Sequence, residues 1–135
     1  VFDNAIVYNT AQVFQNAQVY DRASVYNNSE VGGNAKINGE ASVFEFAKVD
    51  GKCKVVNAEI RGYAELLNNN DYIVFHNTWS SGRYFTWTKS NDMWKVGCFY
   101  GTGEELIEKA YKDSEESGKN YEKCVMFVKE HFQTD

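Results

Sequence analysis

Apolar positions recur every six residues through the first half of the chain. Val1, Val7, Val13, Val19, Val25, Val31, Ile37, Val43, Val49 and Val55 hold one register, and Ala5, Ala11, Ala17, Ala23, Ser29, Ala35, Ala41, Ala47 and Cys53 hold a second, four residues behind each. An amphipathic helix wants apolar residues about every 3.6 positions and a half-buried strand every second one, so neither template fits this run. A hexad is instead one short strand and a turn. Three such strands make a triangular coil, with the valine filling the prism and the small residue beside the corner, and the pattern predicts a left-handed parallel β-helix over residues 1–67. Neighbouring coils pair through their backbones at about 4.8 Å, and each is stable only because the next covers it. The competing reading, an ordinary β-meander, would show less regular turn signals. After Val55 the small-x-aliphatic pair returns one residue early, as Ala58/Ile60 and Ala64/Leu66, which shortens one rung. The stretch NNND at residues 68–71 then ends the pattern.

Residues 71–135 predict a small α+β module. The segments YIVFHNTW, RYFTWTKS and MWKVGCFY read as three short aromatic strands, broken at SSG and near Ser90, Asn91 and Asp92. Thr102-Gly103-Glu104-Glu105 is a capping box, and the stripe Leu106, Ile107, Ala110 and Tyr111 marks a helix that ends before Gly118. A second helix carries Tyr121, Cys124, Val125, Val128 and Phe132 on one face. On the first, Glu104, Glu105, Glu108, Asp113, Glu115 and Glu116 outweigh Lys109 and Lys112, the pattern of a solvated acidic face. A solenoid end leaves strand edges unpaired and needs a cap, which this module can supply.

Composition narrows the function classes. The net charge is -5 with Lys and Arg scattered, so the chain has no basic stripe for phosphates, and direct nucleic-acid binding is not expected. No proline and 16% aromatic residues argue for an ordered chain. Cys53, Cys98 and Cys124 form no CxxC pair and cannot all bridge within one chain, which points to reduced thiols in a cytoplasmic protein. No apolar run nears the roughly 18 residues of a membrane span, no signal peptide is visible, and no membrane partner is expected. The chain starts at Val1 inside a repeat and without an initiator Met, so an N-terminal piece is expected to have been removed.

The A-x-V-x-x-N/D units, as in AQVFQNAQVYDRASVYNN and GNAKINGEASVF, resemble the hexapeptide-repeat solenoids of phage and prophage proteins of unassigned role. In those a solenoid is followed by a tail similar to DYIVFHNTWSSGRYFTWT...WKVGCFYGTGEELIEKA, so the likeness covers essentially the whole chain. The resemblance implies a small phage or mobile-element protein that binds a host protein, for instance one that antagonises a defence system such as CRISPR. Members of that group carry a segment ahead of the coils, which is expected to be missing from this chain. Hexapeptide solenoids also resemble acyltransferases of that fold, which use a histidine base between coils of a trimer and a loop interrupting the repeat. Residues 1–66 contain neither. The related metal-dependent carbonic anhydrases need three histidines, whereas this chain has His76 and His131, so no cofactor and no metal are expected.

The remaining candidates are few. His76 reads as a structural or surface residue rather than a general base, and Cys98 as a buried strand cysteine rather than a nucleophile. Gly101-Thr102-Gly103 offers either an anion cradle or a plain helix start. The residue after each valine points outward, so Tyr8, Tyr26 and Phe44 are expected to stack along one prism face, and Phe2 above Tyr20 along another. Such a ladder either braces the coils, or forms a protein interface including a self-interface, or stacks on sugars or bases. Arg83, between Trp79 and Trp87, is the second candidate anchor, its alternative being a simple turn. The reading these residues favour is a non-enzymatic protein that works by protein-protein binding. A degenerate hexapeptide transferase and a purely structural homo-oligomer stand as alternatives.

Overall fold

A residue in the left-handed backbone conformation stands at every corner of the N-terminal half. Asp3, Asn9, Gln15, Asp21, Asn27, Gly33, Gly39, Glu45, Gly51 and Asn57 all have φ between 55° and 66° in the computed structural model, which describes residues 1–132. Glycine, asparagine and aspartate tolerate that region, whereas Gln15 and Glu45 bear a cost of about 1–2 kcal/mol. Hydrogen bonds along the corner offset it. The Gln15 Oε1 accepts the Gly33 N–H at 2.6 Å, Asn9 Oδ1 accepts that of Asn27 at 3.3 Å, and Asn27 Oδ1 that of Glu45 at 3.1 Å. Asn9, Gln15, Asp21 and Asn27 thus each serve the corner one coil further on.

Between corners run eleven short strands in three parallel sheets. One sheet contains β1 (Ile6–Val7), β4 (Ser24–Val25), β7 (Ser42–Val43) and β10 (Glu59–Ile60). The next contains β2 (Gln12–Val13), β5 (Glu30–Val31), β8 (Lys48–Val49) and β11 (Glu65–Leu66). The third has β3 (Gln18–Val19), β6 (Lys36–Asn38) and β9 (Lys54–Val56). The chain is a parallel β-solenoid, as the six-residue register predicts. Partners lie 18 residues apart, Val7 opposite Val25 and Val31 opposite Val49, until Ile60 falls opposite Val43 and Leu66 opposite Val49, 17 apart. The shortened rung therefore lies between β9 and β10. From Val19 to Leu66 both registers form one fully buried column. Ser29, the one hydroxyl in it, lies 2.8 Å from the Tyr26 carbonyl oxygen and 3.2 Å from that of Val43.

In the body of the solenoid the first N–H of each strand donates to the coil below: Lys36 to the Cys53 carbonyl, Ser42 to Ala58 and Lys48 to Ala64, all at 2.9 Å. The last coil has no coil below it, and side chains take over. Lys54 N–H donates to Asn69 Oδ1 at 2.7 Å, Glu59 N–H to Thr86 Oγ1 at 3.0 Å and Glu65 N–H to Ser90 Oγ at 2.8 Å, one replacement for each sheet. NNND forms a single 3-10 turn, Asn69–Asp71, whose Asp71 carboxylate accepts the Leu67 N–H at 2.7 Å. Tyr72 and Val74 pack against the solenoid core, so the second module is its cap.

The cap is a four-stranded antiparallel sheet in sequential order, β12 (Tyr72–His76), β13 (Tyr84–Thr88), β14 (Met93–Val96) and β15 (Phe99–Gly101), covered by α1 (Gly103–Asp113) and α2 (Glu115–Phe132). MWKVGCFY, read as one strand, is two. Gly97 adopts φ 54° and turns the chain with Cys98 in a two-residue hairpin that pairs Val96 with Phe99. The capping box is present, with Thr102 and Glu105 exchanging hydrogen bonds of 2.9 and 3.2 Å. The helix break falls at Ser114, not Gly118. Ser114 is extended and its hydroxyl accepts the Ser117 N–H at 3.0 Å, while Gly118 lies inside α2, where a Cβ would come within 2.2 Å of the Tyr111 ring. Glycine is needed there for close approach, not for a stop.

Two stability outcomes follow from this closure. Val25→Asp puts an unpaired carboxylate at a position with no exposure and is expected to cost several kcal/mol, on the order of the total stability, read as loss of the cooperative urea transition. Thr86→Val keeps the shape but strands the Glu59 N–H, and the urea midpoint should fall by the equivalent of about 1–2 kcal/mol. An unchanged midpoint would remove Thr86 from the closure.

Candidate functional site

The outward aromatic residues stack as the period requires. Tyr8 and Tyr26 lie 4.9 Å apart between ring centroids and Tyr26 and Phe44 5.0 Å, with interplanar angles of 5° and 3°. Phe2 lies over Tyr20 at 5.2 Å on another face. Because the rung below is one residue short, the next position in the first column is Arg61. Its guanidinium carbon lies 5.4 Å from the Phe44 centroid on one side and 4.3 Å from that of Tyr100 on the other. The column is Tyr8, Tyr26, Phe44, Arg61 and Tyr100, and it ties the solenoid to the cap. Arg61 is also bonded to the Glu45 carboxylate, which fixes the cation between the rings.

Across the adjoining corner a second pair, Phe46 and Tyr63, stacks at 4.9 Å and 5°. It is the more exposed of the two: Phe46 is 45% and Tyr63 74% accessible, while Tyr26 and Phe44 are half-buried. Burial raises the Tyr26 hydroxyl above its ordinary pKa, with the neighbouring Tyr8 adding to the shift. Phe46 and Tyr63 were missing from the sequence candidates because they follow the corner residue rather than the valine. Their 17-residue spacing across the short rung was the available signal.

The second candidate group is not brought together. Trp87 is fully buried, its indole N–H donating to Asp92 Oδ1 at 2.7 Å, so it belongs to the cap core and cannot anchor a partner. Alternation along β13 explains this, since Phe85 and Trp87 share the face turned to the helices. Trp79 is half-buried against Tyr121 and donates to Ser117 Oγ at 3.3 Å. Arg83 alone of the three is exposed.

The remaining polar candidates have structural partners. His76 stacks on Tyr84 at 5.0 Å with Nε2 3.1 Å from the Gly82 carbonyl oxygen. The first N–H of the α1 start is occupied by Glu105 of the chain itself, so Gly101-Thr102-Gly103 reads as a helix start. The acidic residues of the helices are partly matched by lysines, as in Lys109–Asp113 at 3.2 Å and Lys119–Glu115 at 3.3 Å. Among the described residues no group of three His, Cys, Asp or Glu is placed to hold a metal ion, and no helix is long and apolar enough to cross a membrane. No family model matches the chain, and no curated protein or solved structure does either.

Cys98 is exposed on the β14–β15 turn, not the buried strand cysteine expected. Burial pushes the Cys53 thiol up to about 12 and that of Cys124 to about 11. Both folded values lie above the ordinary 9.0, so the stability tied to them is fully present below that pH and is lost as pH rises through 11 to 12. Iodoacetamide at about pH 8 should alkylate Cys98 first in the folded protein, because a thiol reacts as its thiolate. Cys53→Ala should flatten the fall of the urea midpoint above about pH 9.

Proposed function

We propose that the chain is a non-enzymatic binding protein that takes a protein partner along the aromatic corner between the first and second sheets. The observation that carries this reading is the way the rings are spent. In the stack Tyr8, Tyr26 and Phe44 the ring faces cover one another and only edges project, so the inner rungs have no free face on which a sugar or base could lie. A row of ring edges beside the exposed Phe46–Tyr63 pair suits a flat, apolar protein surface. The phage or mobile-element setting, a host protein as the partner and a role against host defence rest on the sequence resemblance alone.

The stack also bears on which variant separates bracing from binding. Tyr26→Ala removes two stacked contacts and is expected to lower stability by about 1–3 kcal/mol whatever the function. Phe46→Ser with Tyr63→Ser disturbs only the exposed pair. Immobilised wild type should retain a defined set of host-lysate proteins that this double variant releases, while its melting temperature stays within a few degrees and its mass by light scattering is unchanged. Retention that is the same for both, or turnover of an acyl-CoA by the wild type, would sink the proposal. A wild type that associates with itself through these residues would favour the structural oligomer.

A further inference from the structure

Three cavities adjoin along the opposite margin of the first sheet. One of about 630 Å³ follows the corner residues Asp3, Asp21 and Gly39 together with Arg22 and Glu40. A second of about 340 Å³ shares Glu40 and runs between Glu59 and the cap residues Arg83 and Tyr84. A third of about 270 Å³ shares Arg83, Tyr84 and Gly97 and ends at Lys109 and Asp113. The middle one opens where the rung is short. Gly39 and Glu40 turn one coil, Asn57 turns the next, and the Asn57 side chain accepts the Glu40 N–H at 2.9 Å. On the cap wall Gly82 leaves open space, with no atom of the described residues within 4 Å of where a Cβ would stand.

Charge is divided along this groove. Asp3, Asp21 and Glu40 outnumber Arg22 on the solenoid, while the cap end offers Arg83 beside the Lys109–Asp113 pair. Arg83 and Glu40 line the same cavity, yet neither side chain forms an ion pair among the described residues, with each other or with a third group. Two unmatched opposite charges on facing walls fit an occupant that carries both signs. From Asp3 to Asn57 the corner rises about 14 Å, the length of about four residues of extended chain.

We propose that this groove holds an extended peptide segment of the protein partner, with cationic side chains along Asp3, Asp21 and Glu40 and a carboxylate on Arg83. The inference deepens the binding reading and rests on it only in requiring a protein partner, because the aromatic corner is a separate surface. An array of random synthetic heptapeptides, probed with the wild type, Arg83→Glu, Glu40→Lys and the Phe46→Ser/Tyr63→Ser variant, tests it. Arg83 and Glu40 are exposed, so their variants should keep the wild-type melting temperature. The wild type should retain peptides in which Lys or Arg precedes or follows Asp, Glu or a free C-terminus by about three or four residues. Each charge reversal should weaken those peptides by about tenfold or more, and raised salt should weaken them for the wild type. The Phe46→Ser/Tyr63→Ser variant should retain them undiminished. An array without retained peptides, or retained peptides indifferent to Arg83→Glu and Glu40→Lys, would overturn the groove while leaving the aromatic reading to its own test. Peptides lost only with Phe46→Ser/Tyr63→Ser would overturn it too, and would move peptide recognition to the aromatic corner.

Discussion

Every coil of the solenoid sends backbone N–H groups along the axis to carbonyls of the next, and this obligation orders the rest of the molecule. Residues 18 apart are held in register by it, so side chains stack in columns, and the columns make both the buried valine core and the outward ladders. It cannot stop on its own. A last coil without acceptors would leave a row of unpaired donors, each costing on the order of 1–3 kcal/mol if buried. Asn69, Thr86 and Ser90 end the row by supplying side-chain oxygens where backbone carbonyls run out. The cap is therefore required by the solenoid's hydrogen bonding as well as by its apolar end.

The aromatic column shows why bracing and recognition are not exclusive here. A ring packed between two others is rigid, and its edges are presented at low entropic cost, which is what an interface residue needs. Arg61 extends the same logic by placing a cation between Phe44 and Tyr100, at the position after the inward aliphatic that an aromatic ring fills in the earlier coils. One column thus transmits solenoid geometry into the cap.

Much of the solenoid was legible because its core is periodic: the valine and alanine registers, the ladder through Tyr8, Tyr26 and Phe44, and the short rung at Ala58 and Ile60 all follow from spacing. Gln15 and Glu45 show where spacing runs out, since neither residue type announces a left-handed corner and the contacts that offset its cost lie across the coils. In the cap the contacts are between residues far apart in sequence, and local pattern misled. Trp87 looked like an anchor beside Arg83, yet it fills the space under the helices. Gly118 looked like a helix stop, yet it lets Tyr111 approach. Cys98 looked buried, yet Gly97 turns it to solvent.

Because the valine and small-residue registers carry the solenoid core, the outward positions are free of folding duties except at the corners and in the stacks. The first sheet uses that freedom unevenly. One margin carries Tyr8, Tyr26, Phe44 and, past the corner, Phe46 and Tyr63. The other carries Asn4, Arg22 and Glu40, and between them runs the outward column Ile6, Ser24, Ser42 and Glu59, which is small only in its two middle coils. A partner lying across this face would meet apolar edges on one side and charges on the other, with little side chain in between at the two middle coils, where Ser24 and Ser42 stand. Apolar contact would supply most of the affinity there, and the charged margin would fix which partner, and in which direction.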